Sequence, residues 1–292
     1  MKQLVVISGK GGTGKTTVVG AFAALAPNPV LADCDVDAAD LHLLLAPTVR
    51  EQGDFDGPIE PVVDREQCTA CGRCVDACVF DALALSDADG KATVDPISCE
   101  GCGLCSRICP ADAITLRRVV AGRWSVSDTR FGPLAHAKLG VAQENSGKLV
   151  TLVRNKAAEL GGQRGAPWLL IDGSPGIGCP VIASLAGADA VLVVTEPTLS
   201  GKSDMERVAS LAAHFAIPTL VCVNKWDINE DLTREIEAYC SNGGPRLAGR
   251  IPYDPAVPRS IVAGEPLTEH SDGPAACAVR ELWNTVENLV GA

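Results

Sequence analysis

Two stretches of the sequence carry residue types that do chemistry only when grouped. The first, Gly9-Lys10-Gly11-Gly12-Thr13-Gly14-Lys15-Thr16, fits G-x-x-x-x-G-K-[ST] and lies between a short apolar run and a helical pattern. Gly11, Gly12 and Gly14 let backbone N–H groups curl around phosphate, with Thr13 and Thr17 in the same cradle, and the helix N-terminus adds positive potential. Lys15 is placed to reach terminal phosphates and the Thr16 hydroxyl to complete a Mg²⁺ shell. The second stretch is Cys68-x-x-Cys71-x-x-Cys74-x-x-x-Cys78, followed by Cys99-x-x-Cys102-x-x-Cys105-x-x-x-Cys109-Pro110. Eight of the thirteen cysteines fall in these two runs. A disulfide framework belongs to small exported chains, and the apolar run before the glycine loop is too short for a signal peptide, so the clustering points to metal. Paired C-x-x-C motifs bind zinc as well as iron–sulfur clusters.

With Lys10 included, K-G-G-T-G-K-T-T resembles the deviant Walker A motif of the MinD/ParA/Mrp and nitrogenase iron protein group. In that group the first lysine reaches across an ATP-sandwiched dimer, a role the resemblance passes to Lys10. Asp33-Cys34-Asp35-Val36-Asp37 stands where the group carries its switch I carboxylates. Asp33 and Asp35 are then implied in orienting the attacking water and Asp37 in the Mg²⁺ shell. Three acids in five residues also describe a solvated turn. Asp172-Gly173-Ser174-Pro175-Gly176 is similar to Walker B with switch II, which implies Asp172 for Mg²⁺ and the Gly176 N–H for the γ-phosphate. Ser174 stands where the group more often has proline. Asn224-Lys225, and Pro252 and Asp254 further on, resemble adenine-recognition elements.

Both cysteine runs resemble the bacterial ferredoxin pattern, in which three close cysteines ligate one [4Fe–4S] cluster and the fourth ligates the other. That resemblance implies Cys68, Cys71, Cys74 and Cys109 for one cluster, and Cys99, Cys102, Cys105 and Cys78 for the second. Val79 replaces the usual proline after Cys78, and Gly72, Gly101 and Gly103 suit tight loops with N–H groups aimed at sulfur. End to end, the chain resembles MinD-superfamily ATPases with an inserted ferredoxin domain, and segments 144–148, 172–180 and 195–198 are similar to that family's. The resemblance implies ATP, Mg²⁺ and two clusters as cofactors, a homodimer with ATP at its interface, and an unidentified redox or metallocluster client. Two functions follow. One is nucleotide-driven closure coupled to electron transfer; the other is a carrier in metallocluster assembly, or a partner-positioning ATPase whose ferredoxin module docks or senses redox state. A complete eight-cysteine pattern favours electron transfer, because a delivery scaffold needs labile, exposed ligands.

The elements that must hold these residues follow from periodicity. Apolar runs at 3–8, 30–33, 168–172, 190–195 and 219–224 predict strands, and the helical spacing predicts helices at 16–26, 148–160, 179–187, 202–215, 229–240 and 275–290. Runs apolar on both faces and alternating with helices predict a doubly wound, mostly parallel α/β sheet; the ferredoxin resemblance implies a small α+β insertion in it. The expected division is 1–60 and 118–292 for the ATPase domain and 61–117 for the inserted one, with 120–147 unassigned.

Composition sets outer limits. In 292 residues, 47% hydrophobic content supports a substantial core, while 25 Lys plus Arg against 36 Asp plus Glu disfavour nucleic acid and anionic membranes as partners. No run approaches a membrane span, so a cytoplasmic location is expected. The helix at 275–290 has one Arg and two Glu and lacks a basic membrane-binding face. Cys179 is read as a buried or mildly reactive thiol, His136 as a packed loop histidine, and Cys34, Cys222 and Cys240 as small core residues.

Overall fold

A computed structural model describes residues 1–140 and 146–291. Glu144 and Asn145, within the segment at 144–148 noted above, lie outside the described residues. The chain divides into two compact units. The first comprises Met1–Gly53, Trp124–Lys138 and the chain from Ser146 onward; the second comprises Asp54–Arg123 with a short piece beginning at Leu139.

In chain order the elements open with β1 (Lys2–Ile7), α1 (Lys15–Leu25), β2 (Val30–Asp33), α2 (Leu41–Leu45) and the long β3 (Thr48–Val63). There follow α3 (Arg73–Asp76), β4 (Leu83–Leu85), β5 (Ala92–Val94), α4 (Leu104–Ile108), β6 (Ile114–Asp128) and β7 (Pro133–Leu139). Next come α5 (Ser146–Arg164), β8 (Trp168–Asp172), α6 (Cys179–Leu185), β9 (Ala190–Thr195), α7 (Leu199–His214) and β10 (Thr219–Asn224). The chain ends with α8 (Glu230–Ser241), β11 (Arg246–Ile251), α9 (Ala256–Ala263), α10 (Leu267–His270) and α11 (Pro274–Val290).

The large sheet runs β11-β10-β9-β1-β8-β2-β7-β6-β3. From β11 to β7 every neighbouring pair is parallel. Strands β1, β2, β8 and β9 are buried along nearly their whole length, as expected of strands covered by helices on both faces. Register then does the positioning. Asp172 pairs with Val6 and with Asp33, so the loops leaving β1, β2 and β8 emerge side by side at the carboxyl edge of the strands.

Where structure and sequence reading differ, the reasons are local. β11 was not expected because RLAGRI mixes arginine and glycine among its apolar residues, which an edge strand tolerates. The unassigned 120–147 stretch contains the end of β6 and all of β7, with Thr129 N–H donating to the Gly132 carbonyl (3.1 Å) at the turn between them. α7 starts at Leu199 rather than 202, because the Thr198 hydroxyl accepts the Gly201 N–H (2.9 Å) as its cap. α6 stops at Leu185, where the Arg154 guanidinium takes up the carbonyls of Ala183 (3.1 Å) and Ala186.

The core of the first unit lies where α1 and α11 cover the sheet. Trp283 on α11 is 3% exposed and packs edge-to-face on Phe22 of α1 and Trp168 of β8, with centroids 5.0 and 5.2 Å apart. The second unit has the antiparallel pair β4–β5 and a core in which Leu83, Ala92 and Ile114 pack with Cys74 and Cys105. Its two short helices each follow a left-handed glycine, Gly72 (φ 72°) before α3 and Gly103 (φ 73°) before α4. Trp283→Ala should remove about 3–5 kcal/mol of stability, while Trp283→Phe should cost well under half of that. Urea unfolding followed by far-UV circular dichroism measures both, and equal stability of the alanine variant and wild type would contradict this packing.

Candidate functional site

The loop from β1 to α1 is shaped by two left-handed glycines, Gly12 (φ 79°) and Gly14 (φ 96°). Ser8 Oγ donates to the Lys10 carbonyl (2.7 Å), and Asn224 Nδ2 at the end of β10 donates to the Thr13 carbonyl (2.8 Å). A second strand end thereby fixes the loop. Lys15, first residue of α1, is buried, with Nζ 2.6 Å from Asp35 Oδ2 and 3.5 Å from Asp172 Oδ1. Burial disfavours its ammonium, but the charges of Asp172 and Asp35 outweigh this and raise its pKa.

Each of the acids has a different setting. Asp33 is fully buried, and burial with the Asp172 charge pushes its pKa well above the usual carboxylate range. Its oxygens accept the N–H groups of Asp35 (3.2 Å) and Leu41 (3.1 Å), so the side chain shapes the 35–41 turn rather than facing the glycine loop. Asp35 is spent on Lys15, and Asp37 is exposed. Asp172 is 1% exposed, yet neither oxygen accepts a hydrogen bond of ordinary geometry. Burial raises its pKa, while the nearby Lys15 ammonium and Thr16 hydroxyl pull the other way. An unsatisfied buried carboxylate beside the hydroxyl of Thr16 is the donor set a divalent cation suits, so these residues fit Mg²⁺.

Two expectations meet occupied groups. The Gly176 N–H donates to the Ser8 carbonyl (2.9 Å) and has to be released before it can meet a phosphate. The Asp254 carboxylate accepts the N–H groups of Ala256 (2.8 Å) and Ala275 (3.3 Å), in the first turns of α9 and α11, while the residue also lines the pocket described next. Pro252, Asn224, Lys225 and Thr17 do line one pocket of about 350 Å³ with Gly12 and Gly14. Sequence reading missed its apolar wall, formed by Tyr253, Val257, Ile261 and Leu267. It also missed Glu196, whose carboxylate lies 2.6 Å from Lys225 Nζ and 3.6 Å from Lys10 Nζ. Lys10 Nζ is further held by Thr198 Oγ1 (3.3 Å) and Ser200 Oγ (3.4 Å). Ser174 has a definite partner: its hydroxyl donates to the Cys34 carbonyl (2.6 Å).

In the second unit, one cavity is lined by Cys78, Cys99, Cys102 and Cys105, together with Cys74. Burial raises the thiol pKa of Cys74, with Cys71 and Cys68 as charged neighbours, and that of Cys105, with Cys99 and Cys102. Backbone N–H groups already point at sulfur: Ala92 and Ala70 lower the pKa of Cys68, and Ala113 N–H donates to Cys109 Sγ (3.3 Å). Among the described residues, no three His, Cys, Asp or Glu are gathered tightly enough for a single metal ion. The N–H contacts at Cys68 and Cys109 are of the kind that cluster sulfurs receive.

The remaining cysteines and His136 have packing roles or none. Cys222 and Cys240 are buried, and burial pushes their thiols up to about 12 and about 11. Cys179 is exposed at the start of α6, contrary to the buried alternative. His136 lies on β7 opposite Asp33, its Nε2 2.9 Å from Ser127 Oγ and its ring stacked 6.4 Å from His42. Burial and His42 lower its pKa.

No helix among the described residues is long and apolar enough to cross a membrane. The sequence is 30% identical over 292 residues to an uncharacterized protein of Methanocaldococcus jannaschii, covering 99% of this chain and 97% of that one. The fold is similar to that of the septum site-determining protein MinD of Pyrococcus horikoshii complexed with Mg-ADP: TM-score 0.59, 16% identity, 99% of this chain and 97% of that one. It is also similar to a chain of the MinC:MinD cell division protein complex of Aquifex aeolicus: TM-score 0.58, 19% identity, 100% of this chain and 96% of that one. The sequence model of the CobQ/CobB/MinD/ParA nucleotide binding domain matches residues 4–267, with the glycine loop and the buried acids inside that span, and the chain belongs to this family.

Proposed function

We propose that this chain binds and hydrolyses Mg-ATP as a homodimer and couples the nucleotide cycle to electron transfer through two [4Fe–4S] clusters in its second unit. The observation that carries the ATPase part is the buried set of Lys15, Asp35 and Asp172 next to the glycine loop. Without phosphate, Lys15 is neutralised by two acids. When a triphosphate enters, Lys15 exchanges Asp35 for phosphate oxygens, and Asp35 is freed to orient water. Asp172 and Thr16 would hold Mg²⁺, which supplies charge neutralisation between the terminal phosphates. Asn224, Lys225 and Pro252, with the apolar wall, would take the adenine. Asp33 then acts by holding the 35–41 turn, and the exposed Asp37 is available to the metal's water shell.

The ferredoxin part rests on the two cysteine runs, with Cys68, Cys71, Cys74 and Cys109 holding one cluster and Cys78, Cys99, Cys102 and Cys105 the other. Such a cluster supplies one-electron chemistry at a potential set by hydrogen bonds to sulfur and by solvent exposure. In this chain those hydrogen bonds come from Ala70, Ala92 and Ala113, and the left-handed Gly72 and Gly103 bring each run into its turn. The likeness to MinD and to a MinC:MinD complex favours a second reading, in which the ATPase positions or loads a partner and the second unit docks or senses redox state.

Four outcomes test these readings. Lys15→Ala should weaken Mg-ATP binding at least about tenfold in calorimetry, because it leaves Asp35 and Asp172 as uncompensated buried charges facing phosphate. Lys10→Ala should keep most of the affinity and lose hydrolysis. Anaerobic purification should give about eight iron and eight sulfide per chain, falling to about four of each in Cys109→Ala or Cys78→Ala, whereas zinc in their place would remove the electron-transfer reading. Redox titration by EPR, with no nucleotide, Mg-ADP or a non-hydrolysed ATP analogue, separates the two functions. Potentials shifted by tens of millivolts support coupled electron transfer, since about 59 mV per electron corresponds to tenfold in affinity. Identical potentials favour the positioning reading.

A further inference from the structure

Lys10 occupies an electrostatically poor place. Gly9 before it packs flush on α7, where an added Cβ would lie 2.1 Å from that of Asp204, so the loop backbone is pinned to the helix. The Lys10 side chain consequently falls across the first turn of α7, with its ammonium on the hydroxyls of Thr198 and Ser200. A helix N-terminus carries positive potential, and Thr198 Oγ1 is already accepting the Gly201 N–H as the helix cap. A cation there is disfavoured unless an anion compensates it. Glu196 is that anion, and its side chain is only 15% exposed. Its two oxygens are divided unequally, 2.6 Å to Lys225 and 3.6 Å to Lys10, so Lys10 is the more loosely held of the two lysines.

We propose that Glu196 is a positioning residue that parks Lys10 on its own chain in the nucleotide-free state, and that nucleotide-driven dimerisation proceeds by exchanging this contact for phosphate. The inference rests on the dimeric ATPase reading above. Glu196 also holds Lys225, which lines the pocket assigned to adenine, so the carboxylate is shared and Lys10 receives the weaker part of it.

Glu196→Gln keeps the side-chain shape and removes the compensating charge. In the nucleotide-free protein, reductive methylation read by mass spectrometry should then label Lys10 faster than in wild type. With Mg²⁺ and a non-hydrolysed ATP analogue, sedimentation should give a dimer dissociation constant about two- to fivefold lower than wild type. In a Lys10→Ala background the same Glu196→Gln change should leave the dissociation constant unmoved, which a merely structural effect of Glu196 would not do. An unchanged Lys10 labelling rate overturns the proposal, as does an equal shift in the Lys10→Ala background. A wild-type protein that binds nucleotide and stays monomeric removes the underlying dimer reading instead, and is recognised by that signature.

Discussion

The site is organised around a cation buried among acids. Lys15 is placed at the start of α1 by the glycine loop, and it is tolerable there only because Asp35 and Asp172 share its neighbourhood. Removing either side leaves a buried charge unpaired, which costs far more than the pair gives back. The sheet register that sets Asp172 level with Val6 and Asp33 is therefore the geometric condition for the site. The covering helices and their aromatic contacts protect that register. Such a charge cluster resists closure around nothing and is completed by a ligand that brings negative phosphate and a divalent cation together.

Much of this was legible where function depends on neighbours in sequence. The glycine loop with Lys15 and Thr16 is a contiguous motif at a strand end, and it lies in the span that the family shares. The strands at 168–172, 190–195 and 219–224 were legible because both faces are apolar, as buried parallel strands require. Glu196 was not legible: its significance is a contact with the lysine of a loop whose side chain lies across α7, and Lys10 and Thr198 are 188 positions apart. The pocket wall was hidden for a different reason: Val257 and Ile261 lie one turn apart on α9, a short helix that the sequence reading did not place, and Tyr253 precedes it. At Asp33 the structure adds what type and place could not show, that its oxygens accept the backbone N–H groups of Asp35 and Leu41.

Two kinds of polar placement recur. Some buried polar groups are satisfied at once, such as the Thr195 hydroxyl on the Gly201 carbonyl or the Ser174 hydroxyl on the Cys34 carbonyl, and these hold elements in position. Others are left wanting, above all the Asp172 carboxylate. The first kind builds the frame and the second marks where a ligand completes it. Unsatisfied buried atoms are few in folded proteins; here the Asp172 carboxylate and Thr13 Oγ1 are at the glycine loop, while Arg154 Nε and Thr268 Oγ1 are elsewhere.

The hydroxyl of Ser174 has a mechanical consequence. Cys34 N–H already donates to the Asp172 carbonyl (2.8 Å), and the Ser174 hydroxyl returns a bond to the Cys34 carbonyl. The segment after β2 and the segment after β8 are thus riveted at two points, on either side of Cys34. A proline in place of Ser174 has no donor and would leave a single rivet. With both bonds in place, a displacement of one segment bears directly on the other.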